Sequence, residues 1–414
     1  MANSIKKIIW LGLSSICALG LLAIGVLCTT VTGAGTAEAN RYVWLADVSH
    51  WLYLIDVDEP QSPWIQDKIV SSSYDVVVLD YIPSERCNTS FNMARLVKKL
   101  HDASHPKLVF AYIDANQTED YRTYWPKDPD PGMPCDMPDE SFSPDWLLGV
   151  DPQDWVGVFN VAFWYPGYKE IWLGNSGKGG YLQGILDAGF DGVYIDWVEA
   201  YDDELVANKA LADCNISPKL CICDISPNDC IPDLKREMIK WIGEIASFTR
   251  SQEPDFLVIP QNAAELAQDR TYVNIIDAIA QEHVWFDGGA DDNPPGDCPL
   301  PERDSDIQTR KYYYSLSEAC KDLYDEQEQD GEGTLYSVSS QYYLNDLRLA
   351  KRKGVLIFTV DYAVIPRNVA WVYERSRSEG FVPFVSNRNL DTYREPFPYV
   401  LEGSTLLVLK KMLF

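Results

Sequence analysis

The 414-residue sequence predicts an α/β fold, a (β/α)8 TIM barrel with long loop insertions on its C-terminal face. Three observations predict it. Apolar, β-branched runs recur along the chain, with stretches of helical periodicity between them. The runs are almost continuously apolar, as strands of a parallel sheet covered on both faces must be. Most end in polar or acidic residues, which are costly inside a barrel and belong at its open rim. A doubly wound open sheet is the alternative, but no Gly-rich phosphate-binding turn follows the first run.

In order, the runs begin near Tyr42–Asp47 and continue with Asp75–Tyr81, Lys107–Asp114, Asn160–Tyr165 and Gly192–Val198. Phe256–Asn262, Ala278–Trp285 and Val355–Tyr362 complete the set of eight. Helical patterns fall between them, as at Phe91–Ser104, Gly179–Ala188, Leu234–Thr249 and Asn345–Lys353. Two stretches break the rhythm. Glu204–Asp233 holds four clustered cysteines, and Gly288–Tyr336 is polar and acidic. Both follow the ends of runs, so both are expected as long loops that shape a cleft. No repeat or linker divides residues 40–414, which read as a single barrel.

Residues 1–39 read as a targeting segment. Lys6 and Lys7 precede the uncharged run Ile8–Cys28, and Ala37-Glu-Ala39 has the small-residue pattern of a cleavage site. The run is also long enough to span a bilayer. A cleaved secretory signal and an uncleaved membrane anchor both fit, and either places the body outside the cytoplasm.

The remaining cysteines agree with export. Cys87, Cys135, Cys214, Cys221, Cys223, Cys230, Cys298 and Cys320 form an even set, expected as up to four disulfides rather than a zinc site. Asn88, Asn116 and Asn215 open glycan sequons. The net charge is −27. A chain this acidic lacks the basic footprint that a nucleic-acid partner requires, and it attracts cations or cationic polymers instead.

The run ends carry the candidate chemistry. They supply Asp80 and Tyr81, Tyr112 and Asp114, Asp196, Trp197 and Glu199, Gln261 and Asn262, Glu282 and His283, and Asp361 and Tyr362. With Trp164, these aromatic, amide and acidic groups have the composition of a sugar site. Cleaving a glycosidic bond requires two carboxyls astride it. Asp196 and Glu282 are the candidates, each late in an apolar run, where an idle charge is expensive. Glu199 and Asp80 compete by the same reasoning, and helix capping or ion pairing is the plain alternative for any of them.

Several tracts together resemble one family. They are Trp51-Leu-Tyr, Asp75-Val-Val-Val-Leu-Asp-Tyr81, Ala111-Tyr-Ile, Glu119-Asp-Tyr-Arg122 and Asp187-Ala-Gly-Phe-Asp-Gly-Val-Tyr-Ile-Asp196. Pro254–Asn262, Val360-Asp-Tyr362 and Gly380–Val385 continue the match. The sequence resembles the MJ1477/TM1410 family of glycoside hydrolases, related to the endo-α-1,4-polygalactosaminidases of glycoside hydrolase family 114. The resemblance runs from about Trp51 to Asp391. It implies a TIM barrel without metal or organic cofactor, and an acidic pair at Asp196 and Glu282, with Asp196 as nucleophile or base and Glu282 as acid. The implied substrate is an amino-sugar polysaccharide, cationic where its amines are free, cleaved endo-wise by a monomer.

The chain departs from the family pattern in three places. Asp114-Ala-Asn-Gln-Thr118 replaces a Ser-Ile-Gly-Glu-Ala tract, Trp164-Tyr-Pro-Gly-Tyr168 replaces Trp-Asp-Pro-x-Trp, and Glu199 replaces an Asp. A non-catalytic carbohydrate-binding barrel or a surface adhesion protein is therefore the alternative function.

Overall fold

The computed structural model describes residues 45–398, except 56–62, 83–84, 86, 88–89, 128–137, 140, 152–154, 176–178, 217–220, 224–229 and 289–295. The run Ile8–Cys28 lies outside the described residues. Among those described, no helix is long and apolar enough to cross a membrane.

The apolar runs form parallel strands with helices between them. β1 (Trp51–Leu54), α1 (Pro63–Ser71), β2 (Val76–Asp80), α2 (Met93–His101) and β3 (Leu108–Ile113) begin the alternation. Every residue of β1 and β2 is buried, which is why those segments read as unbroken apolar runs. In α2, Met93, Leu96, Val97 and Leu100 form one buried stripe. Asn92 Oδ1 accepts from Arg95 N at 2.9 Å and fixes the start of that helix.

A small antiparallel sheet interrupts the alternation. It comprises β4 (Gln117–Glu119), β5 (Leu147–Val150) and β6 (Val158–Val161), in the order β4-β6-β5. Then come α3 (Pro166–Leu173), α4 (Tyr181–Asp187), β7 (Gly192–Ile195) and α5 (Glu204–Ile216). The short hairpin β8 (Cys221–Cys223) and β9 (Cys230–Pro232) leads to α6 (Leu234–Gln252), β10 (Leu257–Pro260), α7 (Arg270–Ile275) and β11 (Ala278–Glu282). Four helices follow: α8 (Arg310–Tyr313), α9 (Glu318–Asp330), α10 (Thr334–Ser337) and α11 (Ser340–Arg352). The described elements end with β12 (Leu356–Tyr362), α12 (Pro366–Glu379) and β13 (Val382–Ser386).

The large strands form two parallel sheets, β1-β2-β3-β7-β10 and β11-β12-β13. A parallel bridge between Gln261 and Ala280 joins them, and Asn262 N donates to Ala280 O at 2.7 Å. At the other edge, Trp51 Nε1 of β1 donates to Val382 O of β13 at 3.0 Å. An aromatic core spans these sheets. Trp51 packs on Tyr53, Tyr194, Phe358 and Phe384, with ring centroids 5.1–6.0 Å apart.

Several expectations need correction. The first strand is Trp51–Leu54 rather than Tyr42–Asp47. Leu45 and Ala46 are helical, and 42–44 lie outside the described residues. Asn160–Tyr165 is not a strand of the parallel sheet, because its first two residues end β6 and pair antiparallel with β4 and β5. The last parallel strand is β13, which was not among the expected runs. Neither insertion is simply a loop. Glu204–Asp233 contains α5 and the hairpin, and Gly288–Tyr336 folds around its own apolar cluster of Leu300, Tyr312, Leu316, Tyr324 and Leu335. A Cys298–Cys320 disulfide staples that cluster. Cys87 and Cys214 are also disulfide-bonded. The side chains of Cys135, Cys221, Cys223 and Cys230 lie outside the described residues.

Candidate active site

Asp196 follows the last residue of β7. Trp197, in the left-handed conformation at φ 49°, turns the chain sharply there and aims its own N–H back at Asp196 Oδ1, 2.8 Å away. Tyr112 of β3 donates its hydroxyl to Asp196 Oδ2 at 2.6 Å. Gln261, just past β10, donates Nε2 to Asp196 Oδ1 at 2.6 Å. Its amide orientation is set from behind, because Gln261 Oε1 accepts the Tyr53 hydroxyl at 3.0 Å. Three donors from three elements therefore fix this carboxyl in place.

Glu282 ends β11. Tyr362, at the end of β12, donates its hydroxyl to Glu282 Oε1. Asn262 braces the other side. Its Nδ2 donates to Glu282 Oε2 at 3.2 Å and to Glu199 Oε1 at 2.6 Å. Its Oδ1 accepts from Glu282 N at 3.1 Å and from Gln281 Nε2 at 2.9 Å. Asn262 itself adopts φ 65°, which Asn tolerates better than most residues. Neighbouring residues 261 and 262 thus hold the two carboxyls, one each.

The hydrogen bonds to these carboxyls come from neutral donors. Burial, and then the charge of Glu282, push Asp196 up to about 7. Burial pushes Glu199 well above the usual carboxylate range, and the charges of Asp196 and Glu282 add to it. Its Oε2 is buried without a hydrogen-bond partner among the described residues, which favours the neutral acid. Asp114 is raised for the same reasons, burial first and Asp196 second.

All of these groups line one cavity of about 1770 Å³. Asp80 and Asp114 face it with Asp196, Trp197, Glu199 and Glu282. Tyr112, Gln261, Asn262 and Tyr362 reach it too, as supports for the carboxyls. Tyr81, Trp164 and Asp361 do not line it. Successive strand residues face opposite ways, so of Asp80-Tyr81 and Asp361-Tyr362 only one member each can look inward. Tyr81 packs outward, edge-on against Tyr181 and Phe190. Asp361 is fully buried, and its Oδ1 accepts from the backbone N–H groups of Trp285 and Phe286 at 2.6 and 3.0 Å. Trp164 follows β6, outside the parallel sheets, and bonds Asp213 Oδ2 of α5 at 3.1 Å. Asn116 is completely buried, with Nδ2 on Asp196 O at 2.6 Å, and so cannot carry a glycan in the folded protein.

The structure also adds residues that the run ends did not reveal. Arg122 is buried and forks onto Asp80 at 2.7 and 2.9 Å, and onto Glu119 at 2.7 and 2.9 Å. Arg388 binds Asp287 Oδ1 at 2.9 Å, and Thr334 of the acidic insertion donates to the other Asp287 oxygen. The insertion is thereby tied to the cavity. Among the described residues, no group of three His, Cys, Asp or Glu could hold a metal ion.

No family model matches the chain. It is similar to an uncharacterized protein of Deinococcus radiodurans, at 27% identity over 78% of this chain and 75% of that one. An uncharacterized protein of Thermotoga maritima is 25% identical over 59% of this chain and 62% of its own length. The uncharacterized protein MJ1477 of Methanocaldococcus jannaschii is 28% identical over 54% of each. Thus the chain spans three quarters of the first of these relatives and less than two thirds of the other two. Among solved structures, the glycoside hydrolase domain of PelA from Pseudomonas aeruginosa is 15% identical, covering 83% of this chain and 97% of that chain with a TM-score of 0.47. An alpha-amylase from Geobacillus thermoleovorans is 12% identical, covering 82% and 70% with a TM-score of 0.35.

Proposed function

We propose that this chain is an exported glycoside hydrolase that cleaves an amino-sugar polysaccharide endo-wise, with Asp196 as nucleophile or base and Glu282 as acid. One observation carries the reading. Two carboxyls, one at the end of β7 and one at the end of β11, line one cavity, held by neutral donors, and burial together with the charge of Glu282 delays the ionisation of Asp196. That is the arrangement acetal cleavage needs. In the reactive form the pair's single proton sits on Glu282, which delivers it to the leaving glycosidic oxygen as the bond to the anomeric carbon breaks. Asp196 attacks that carbon, or takes the proton of a water that does. Its three donors suit this role, because they orient an anion rather than receive a proton.

The scaffold in this reading is a closed (β/α)8 ring. The Gln261–Ala280 bridge forms one seam, and the Trp51–Val382 bond marks the other. Export is supported by the Cys298–Cys320 disulfide, since such bonds persist in oxidising compartments. A cationic substrate is supported by the acidic lining away from the carboxyl pair, which includes Asp202, Glu265, Glu326, Asp330 and Asp346.

The test is incubation with de-N-acetylated galactosaminan and measurement of new reducing ends. Wild-type protein should release them, and D196N and E282Q should not. Retention of the polymer without cleavage would contradict the enzymatic reading and favour a binding barrel.

A further inference from the structure

Two large aromatic side chains stand out at the cavity wall. Trp155 is 47% exposed and Tyr342 is 52% exposed, yet both line the same cavity as the carboxyl pair. Most large aromatics here are buried, so two rings left open along one groove need a reason.

Each residue's backbone is tied to the frame. Trp155 sits in the β5–β6 connection of the small antiparallel sheet. Its N–H donates to Asp151 Oδ2 at 3.3 Å, and Asp151 Oδ1 accepts from Gln117 Nε2 at 2.7 Å. The same Gln117 amide donates to Asn160 Oδ1 at 2.8 Å, pinning β6 as well. Tyr342 sits in the first turn of α11, where Ser339 Oγ accepts its N–H at 3.2 Å. The far end of α11 is tied by Lys353 Nζ to Ala267 O at 2.7 Å. Its ring packs edge-on against Tyr343, with centroids 5.5 Å apart.

The chain order separates the two. Trp155 belongs to the connection between β3 and β7, and Tyr342 to the connection between β11 and β12. In sheet order, β7 and β11 lie between those connections, and they carry Asp196 and Glu282. In sheet order the two rings thus come from connections on either side of the strands that carry the pair, and all four residues line one cavity. Around Tyr342 the cavity also presents Asp202, Glu265 and Asp346, whose charges act on its hydroxyl. The cavity volume of about 1770 Å³ exceeds that of a site for one small ligand, typically about 300–1,000 Å³.

We propose that Trp155 and Tyr342 are sugar-stacking platforms at the two flanks of the groove, and that one polysaccharide chain rests on both while its central bond meets Asp196 and Glu282. This rests on the glycosidase reading. An aromatic face matches the apolar face of a sugar ring, and the carboxylates beside Tyr342 suit an amine substituent on the sugar stacked there. Spanning both platforms is what commits the enzyme to internal bonds of a long chain.

The test uses W155A and Y342A in the wild-type and D196N backgrounds. With active protein and de-N-acetylated galactosaminan, each substitution should raise KM about tenfold, the size of one lost stacking contact, with kcat within about twofold. With a di- or trisaccharide of the same sugar, neither should change KM. W155F and Y342W should restore polymer KM. The D196N protein reads polymer affinity directly by affinity electrophoresis, independently of cleavage. There, W155A and Y342A should each weaken retention about tenfold. Unchanged retention in both, or a kcat loss equal on long and short substrates, would overturn the platforms. Retention that depends on the two rings, with no cleavage by wild type, would keep the platforms and overturn the hydrolase reading. No retention by any variant would overturn both.

Discussion

Two acidic clusters line the same cavity, and they are built in opposite ways. In one, Asp80 and Glu119 share the buried guanidinium of Arg122, four bonds of 2.7–2.9 Å between three side chains. In the other, Asp196, Glu199 and Glu282 accept from neutral groups, the side chains of Gln261, Asn262, Tyr112 and Tyr362 and the backbone N–H of Trp197. The first cluster carries its own counter-charge. Its carboxylates are locked and it holds the wall of the cavity. Among the described residues no cation hydrogen-bonds to the second, although Arg388 acts on Glu282 from a distance, and burial with the Glu282 charge keeps Asp196 protonated up to about pH 7. In the proposed reading, carboxyls beside an arginine hold the wall and those without one do the chemistry; burial raises Asp80 as well, but Arg122 opposes the rise.

The comparison can be broken at either cluster. The largest effect should come from the uncompensated one. D196N or E282Q should cost about 10³-fold in reducing-end release, the weight of one acid–base group, while thermal unfolding is unchanged or improved. A coincident loss of stability would return these residues to a structural role. At the compensated cluster the pattern inverts. Arg122→Ala strands two buried carboxylates and should cost about 3–5 kcal/mol in denaturant unfolding. The charge-free triple variant D80N/E119Q/R122M should cost less, and equal costs would mean that the packing of Arg122 matters more than its charge.

Asn262 comes next. It touches Glu282 and Glu199 but performs no chemistry, so Asn262→Ala should lower kcat about tenfold with little change in KM. It should also move the pH profile, because Glu282 and Glu199 lose their shared donor. A KM effect with an unmoved profile would mean that Asn262 binds substrate instead.

The smallest effects lie in pH dependence. The reactive pair carries one proton, so kcat/KM should fall as pH passes through about 7 and that proton leaves. A rise through the same range would mean that neither carboxyl acts as the acid. Stability follows the same proton. The unfolded chain releases this proton near 3.8 and the folded chain near 7. Folded protein therefore binds more protons in between, and stability should decline from about pH 4 to 7, then level off. D196N should remove that slope.

Much of this was legible in the sequence, for identifiable reasons. Six of the apolar runs are strands of the parallel sheets, because β-branched residues buried on both faces leave an unbroken signature, while Asn160–Tyr165 only overlaps the end of β6. Asp196 and Glu282 stood out as charges late in apolar runs, and the structure brings both to one cavity. Other features were hidden by local rules. β13 contains Pro383, a residue that normally demotes a strand, and only its pairing with β12 reveals it. Asp80-Tyr81 and Asp361-Tyr362 each put two polar or aromatic residues at a run end, and the direction of alternation decides which member looks inward. Arg122 lies 42 residues from Asp80, so their pairing depends on the fold. The acidic insertion looks like a solvated loop in composition. Its few apolar residues and the Cys298–Cys320 bond nevertheless build a separate cluster.

The most direct test is a carboxyl titration of Asp196, followed by carbon-13 NMR or infrared difference spectroscopy in wild type and in E282Q. The account predicts an apparent value of about 7 in wild type. It also predicts a clear drop when the Glu282 charge is removed. A value near 4 in both proteins would contradict it, because the two groups would then neither feel each other nor share the proton that the proposed chemistry requires.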